Sequence, residues 1–264
     1  MRPLSHLCAT ALLSLALAPS AAGAQTDSSA APAVSVYAET RLVSRYVWRG
    51  YDLSQGNAAV QPWVELSLPF GLSANAFLTS ALDDHRDVDE GQLGVGYSRE
   101  VGDWEFGGGY LHYIMPGTQT EPSAADDPLE TTTSGEWYAA LTRNWTDGWA
   151  TLTYSRGNRS GKGNSLNLWV EQDFSWGDDR WAAQPYLQVD YLDEYGAPAG
   201  LDNRLAMVEV GVPVLFTLGP VQLLAAAQVS FIPSRYVRAA NLDAGASGRT
   251  VLPWFSIGVA FEHD

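Results

Sequence analysis

The chain has 264 residues, with 30 Asp and Glu against 15 Lys and Arg and a formal net charge of -15 at pH 7. That acid excess argues against nucleic-acid binding, which needs a basic surface to meet phosphates. It fits acidic loops that hold divalent cations, a cation-preferring pore, or plain solubility.

The first residues carry one positive charge at Arg2, run through the apolar stretch Cys8 to Ala18 and reach the small triplet Ala22-Gly23-Ala24. This order predicts a secretory signal peptide over residues 1–24, cut before Gln25. Its apolar run is shorter than the roughly 20 residues of a spanning helix. Cys8 lies inside that run, whereas a lipid-bearing cysteine would follow it, and no other cysteine occurs. Loss of the leader with Arg2 leaves the mature chain one charge more negative. Residues 25–33 are expected as a short periplasmic segment and 34–264 as one domain.

From residue 34 onward the hydrophobic pattern has a period of two, which predicts strands and turns. In the first segment Val34, Val36, Leu42, Tyr46 and Trp48 share one face, while Glu39, Arg41, Arg45 and Arg49 share the other. Val60, Val64 and Leu66 alternate with Gln61, Trp63 and Glu65, and Pro69-Phe70-Gly71 turns the chain into Leu72 to Leu82. Strands then follow around Gln92–Val101, Trp104–Met115, Glu136–Trp145, Trp149–Arg156, Asn164–Phe174, Trp181–Leu192, Asn203–Pro213, Val221–Ile232 and Thr250–Phe261. The connections near residues 70, 102, 147, 177 and 217 are short. Those near 54, 86, 125, 160, 198 and 241 are mostly longer and more polar, and the segment 233–249 is expected as a loop.

About twelve strands of roughly 9 to 11 residues, with alternating short and long connections, are the pattern of an outer-membrane protein. The predicted fold is all-β: a transmembrane antiparallel up-and-down β-barrel with short periplasmic turns and longer extracellular loops. It is expected in the bacterial outer membrane, among lipid and lipopolysaccharide, after passage through the barrel-assembly machinery. Trp104, Trp145, Trp149, Trp176 and Trp181 fall beside short turns. Tyr46, Trp48, Tyr110, Trp137, Tyr154, Tyr191 and Trp254 lie toward the long loops, so two aromatic girdles are expected. Arg143 and His112 fall on the lipid face near strand ends, where a long or polar side chain reaches the interface. Phe261 serves as the terminal aromatic, followed by a short tail.

The segment Ser44-Arg-Tyr-Val-Trp-Arg-Gly-Tyr-Asp-Leu-Ser54, followed by Ala59-Val60-Gln61, resembles the start of the TorF-type porin family. The likeness is confined to the first hairpin. Leu72-Ser-Ala-Asn-Ala departs from the glycine- and tyrosine-bearing run usual there. It implies a pore-type outer-membrane role and supplies no catalytic residues.

Arg41, Arg45 and Arg49 at i, i+4 and i+8 on a strand would stand about 13 to 14 Å apart in succession, a basic line down the pore wall. Glu65, Glu136, Glu171, Asp190 and Glu209 are the facing acids. Such a stripe opposite acids would orient small polar solutes passing by diffusion; paired and crowded, the same charges would instead plug the lumen. Asp83, Asp84, Asp87 and Asp89 are weak candidates for a metal, without the ordered spacing of a calcium loop. The acids of loop 116–134, Glu121, Asp126, Asp127 and Glu130, fit a loop tip or an inward constriction. Gly157–Gly163 lacks phosphate-loop spacing. No cofactor is expected. A lipid-hydrolysing barrel would need His85 or His112 beside a nucleophile, and a structural or adhesive barrel would act through its loops.

Overall fold

The computed structural model describes residues 34–82, 90–115, 132–158, 163–193 and 204–263. The signal-peptide expectation, residues 25–33, the acidic cluster with His85 and the acids of the longest loop lie outside them.

The chain is a closed antiparallel barrel of twelve wall strands. They are β1 (Ser35–Val43), β2 (Ala59–Ser67), β3 (Leu72–Ala81), β4 (Glu90–Val101), β5 (Trp104–Met115) and β6 (Thr132–Trp145), then β7 (Gly148–Asn158) and β8 (Gly163–Gln172, continued by Phe174–Trp176). The wall is completed by β9 (Trp181–Ala183 and Tyr186–Asp193), β10 (Arg204–Leu218), β11 (Val221–Phe231) and β12 (Val251–His263). Each strand pairs with its neighbours in sequence, and β1 pairs with both β2 and β12, which abolishes the sheet edges. The break in β9 has a local cause. Pro185 interrupts it, having no backbone N–H to give to β10, while the preceding Gln184 keeps contact by donating its backbone amide to the Pro213 carbonyl at 2.9 Å.

Alternation sorts the side chains as the sequence pattern requires. On β4, Leu93, Val95 and Tyr97 are exposed while Gln92 and Gly94 are buried; on β11, Leu223 and Val229 are exposed while Ala226, Gln228 and Ser230 are buried. The outside is an apolar belt and the inside is polar, the reverse of a water-soluble sandwich. This is an outer-membrane β-barrel. Among the described residues no helix is long and apolar enough to cross a membrane.

The short-turn end carries exposed Trp104, Trp145, Trp176 and Trp181, and the long-loop end carries exposed Trp137, Tyr154 and Tyr191. Four aromatics expected in the girdles stand inside the barrel instead: Tyr46, Trp48, Trp149 and Trp254. Trp149 and Trp254 sit at inward positions of their strands, where a polar partner or a stack replaces the headgroup. Tyr46 and Trp48 are inside for a different reason. The first strand stops at Val43 rather than running to Arg49, and the chain beyond it folds into the lumen.

The last long connection is not merely a loop. It contains helix α1, Arg235–Asp243, whose Ser234 N-cap accepts from the Val237 amide at 3.3 Å. Arg238 donates to the carbonyls of Ile232 and Pro233, both at 2.7 Å, which folds the helix against the end of β11.

Candidate functional site: a lumen narrowed at one end by an inward hairpin

Residues 44–58 connect β1 to β2 by entering the barrel. Val47–Trp48 pairs with Tyr51–Asp52 across a two-residue turn formed by Arg49 and Gly50. Both have positive φ, 49° and 85°, the combination a type I′ hairpin turn demands. Gly50 supplies it at no steric cost. A Cβ there would also come 3.0 Å from the Ala206 carbonyl oxygen and 3.1 Å from Val237, so the turn is pressed against β10 and α1. Arg49 takes the same region with a long side chain.

That side chain is anchored. Its guanidinium donates to both carboxylate oxygens of Glu136 on β6, at 3.1 and 3.0 Å, and lies over the Trp48 ring at 4.7 Å. The Tyr113 hydroxyl of β5 donates to the same carboxylate at 2.8 Å. At the other side of the hairpin Asn241 of α1 accepts from the Asp52 amide and donates to the Gly50 carbonyl, both at 3.0 Å. Arg45 pairs with Asp52 at 2.6 Å, and Ser54 accepts from the Tyr46 amide at 2.8 Å. Beneath the hairpin Tyr46, Val47 and Val43 join Phe77, Leu111, Tyr113, Tyr138, Met207, Ile232 and Trp254 in one buried apolar cluster. The hairpin and α1 therefore narrow the long-loop end of the lumen.

Around and below that cluster the inner wall is polar. Arg41 of β1 pairs with Glu39, whose carboxylate also accepts from the Tyr37 hydroxyl. Arg41 is close enough to Glu171 of β8 and Tyr186 of β9 to act on them electrostatically. There Trp149, Trp169 and Tyr186 stack along three consecutive strands, with ring centroids 6.2 and 4.2 Å apart. Trp169 donates to Glu171 at 3.2 Å and Tyr186 to Glu209 at 2.8 Å. Glu209 also accepts from Trp254 at 3.2 Å and from the Ser230 hydroxyl. Asp190 accepts from Asn167 at 2.9 Å and from Gln188 at 2.7 Å. Gln61 and Gln92 are almost wholly buried at inward positions, and among the described residues their side-chain amides have no hydrogen-bond partner.

All eight side chains proposed from sequence to line the lumen are on its side of the wall or in the hairpin it encloses, but their arrangement differs from a stripe. Arg41 alone belongs to β1. Because the strand ends at Val43, Arg45 and Arg49 leave the wall, and the even spacing expected of the three is replaced by separate pairs with Glu39, Asp52 and Glu136. Glu65 faces inward near Glu105. Glu39 stands on the face the sequence pattern gave it with Arg41, although it was not among the facing acids; Glu90 and Glu105, which the same alternation turns inward, and Asn241, on a helix the sequence pattern did not reveal, are lumen residues beyond those expected. Among the described residues nine carboxylates and three guanidinium groups are buried, so the interior is acidic.

His112 stands between inward Leu111 and Tyr113 and therefore faces outward, with Leu93 and Gly135 as cross-strand neighbours. Neither offers a nucleophile. Among the described residues no three metal-ligating side chains gather, and Asp83, Asp84, Asp87 and Asp89 lie outside them.

The barrel is similar in fold to the KdgM porin, with a TM-score of 0.54 at 10% identity over 85% of this chain and 98% of that one. Against the KdgM porin in complex with disordered oligogalacturonate the TM-score is 0.51 at 9% identity, over 86% and 98% of the two chains. At such identity the likeness is one of fold. No curated protein matches the sequence. Residues 27–185 match the family described as "Bacterial protein of unknown function (Gcw_chp)". That match spans more than half of the sequence, and the chain belongs to the Gcw_chp family.

Proposed function

We propose that this barrel is a porin-like channel through which small polar solutes diffuse across the outer membrane, and that its acidic interior favours cations. The observation that carries the reading is the inner wall itself. A barrel kept only as a scaffold has no need of buried carboxylates, whose desolvation is costly unless they are paired or hydrated. A water-filled path between them removes that cost. Arg41, paired with Glu39 and within electrostatic reach of Glu171, supports a transverse field smaller than that of a full stripe. The porin-like fold and the resemblance of Ser44–Ser54 to the TorF-type porins support the same reading. Oligogalacturonate, the ligand of the KdgM complex, is a polyanion, and an interior with this excess of acid disfavours such a solute.

Purified, folded protein added to a planar bilayer is expected to give discrete conductance steps. Folded protein without steps over a range of voltages would overturn the proposal.

A further inference from the structure

On the lipid-facing side of β4 and β5, near the short-turn end, the wall has a groove of about 530 Å³ lined by Tyr97, Arg99, Val101, Phe106, Gly107 and Gly108. The register explains it. Tyr97 lies opposite Gly108, Arg99 opposite Phe106 and Val101 opposite Trp104, so the outward row of β5 drops from two aromatic rings to no side chain at all at Gly108. Tyr97, Val101 and Phe106 are 48%, 58% and 53% exposed, which leaves a trough walled by large apolar groups. A Cβ at Gly108 would come 3.1 Å from the Tyr138 carbonyl oxygen, so the floor is also held down by contact with β6.

One end of this trough carries a charge. Two arginines face outward here, and they are treated differently. Arg143 is neutralised by Asp103 at 2.6 Å and rests on the Trp104 ring at 5.3 Å. Arg99, among the described residues, has no ion pair or hydrogen bond. It lies two residues before the end of β4 at Val101, within reach of the interface for a side chain of this length. A guanidinium at the interface with no protein counter-ion is placed to meet an anionic lipid headgroup. An apolar trough rising from that guanidinium toward the bilayer centre has the shape and chemistry of an acyl chain leading to a phosphate.

We propose that this groove binds one anionic phospholipid of the periplasmic leaflet, with its phosphate on Arg99 and an acyl chain laid over Gly108 between Tyr97 and Phe106. The site lies outside the lumen, and it stands or falls independently of channel activity. Charge complementarity selects the lipid over a second copy of the barrel, since the outward residues of this patch offer no acid to Arg99 beyond the one already taken by Arg143.

The test uses the full mature barrel in detergent supplemented with phosphatidylglycerol or phosphatidylcholine, followed by native mass spectrometry. One phosphatidylglycerol retained per barrel, at least fivefold more than phosphatidylcholine, is the expected result. Arg99→Gln should abolish that preference. Phe106→Ala, which removes one wall at an exposed position, should lower retention of both lipids, with folding checked by heat-modifiable migration. Equal retention of the two lipids by the unaltered barrel, retention unchanged in both folded variants, or a barrel dimer in place of the lipid-bound monomer would each overturn the proposal.

Discussion

Arg49 holds a backbone conformation that disfavours any side chain, and its guanidinium is the central tie of the inward hairpin. The combination is consistent: the turn aims the side chain at β6, and the two hydrogen bonds to Glu136 offset the strain. Removing one partner of a buried pair costs about 3–5 kcal/mol. Glu136→Gln is therefore expected to speed hydrogen exchange at the amides of Tyr46–Ser54 by roughly a hundredfold or more, while the wall strands exchange as before. Arg49→Lys should not restore protection, because an ammonium cannot match the carboxylate with two parallel bonds. At this scale the sequence was only partly legible. Alternation identified Glu136, Glu171, Asp190 and Glu209 as inward, since a strand's period fixes the face of each residue. It misplaced Arg45 and Arg49 because Tyr46 and Trp48 continue the alternation of β1 past Val43, and nothing in that local pattern marks the end of the strand. Arg49-Gly50 was the available sign, as a glycine after a charged residue fits a tight hairpin turn.

At the scale of elements, the hairpin and α1 hold each other through Asn241, and neither makes sense alone. At nine residues the helix is too short to fold unaided, and it buries only Val237 and Asn241, about one turn apart. Its N-cap is correspondingly important: Ser234→Ala removes the bond to the Val237 amide and is expected to destabilise the helix by about 1 kcal/mol. The readout is channel noise. Open-channel current should fluctuate more in Ser234→Ala than in the unaltered barrel, and equal noise would show that α1 does not hold the hairpin. This helix left only a weak periodic signal in the sequence, as a nine-residue element inside the nineteen-residue connection 232–250. Ser234 followed by Arg-Tyr-Val-Arg-Ala-Ala was the trace it left. The break in β9 before Tyr186, opposite an unbroken β10, was equally hidden, since strand partners are not adjacent in sequence.

At the scale of the molecule, the strands, the short and long connections and the outer belt follow from periodicity and turn chemistry, and they needed no tertiary information. What periodicity cannot supply is the filling of the lumen, because a loop that folds inward and a loop that extends into solvent share one composition. The same ambiguity moved Tyr46 and Trp48 from the expected girdle to the interior, whereas Trp149 and Trp254 went there through the inward phase of their own strands. Closure by β1 and β12 predicts a barrel that resists unfolding, so unheated protein should migrate differently from boiled protein in detergent gels. Migration unchanged by boiling would argue against a closed barrel.

The acidic interior is the feature on which the functional account rests, with nine buried carboxylates against three guanidinium groups among the described residues. The most direct measurement is the reversal potential of single channels in a potassium chloride gradient, made on the unaltered protein and on Glu171→Gln/Glu209→Gln. A reversal potential of the sign set by potassium is expected, moving toward zero in the double variant. A reversal potential set by chloride, or a cation preference untouched by removal of both carboxylates, would contradict it.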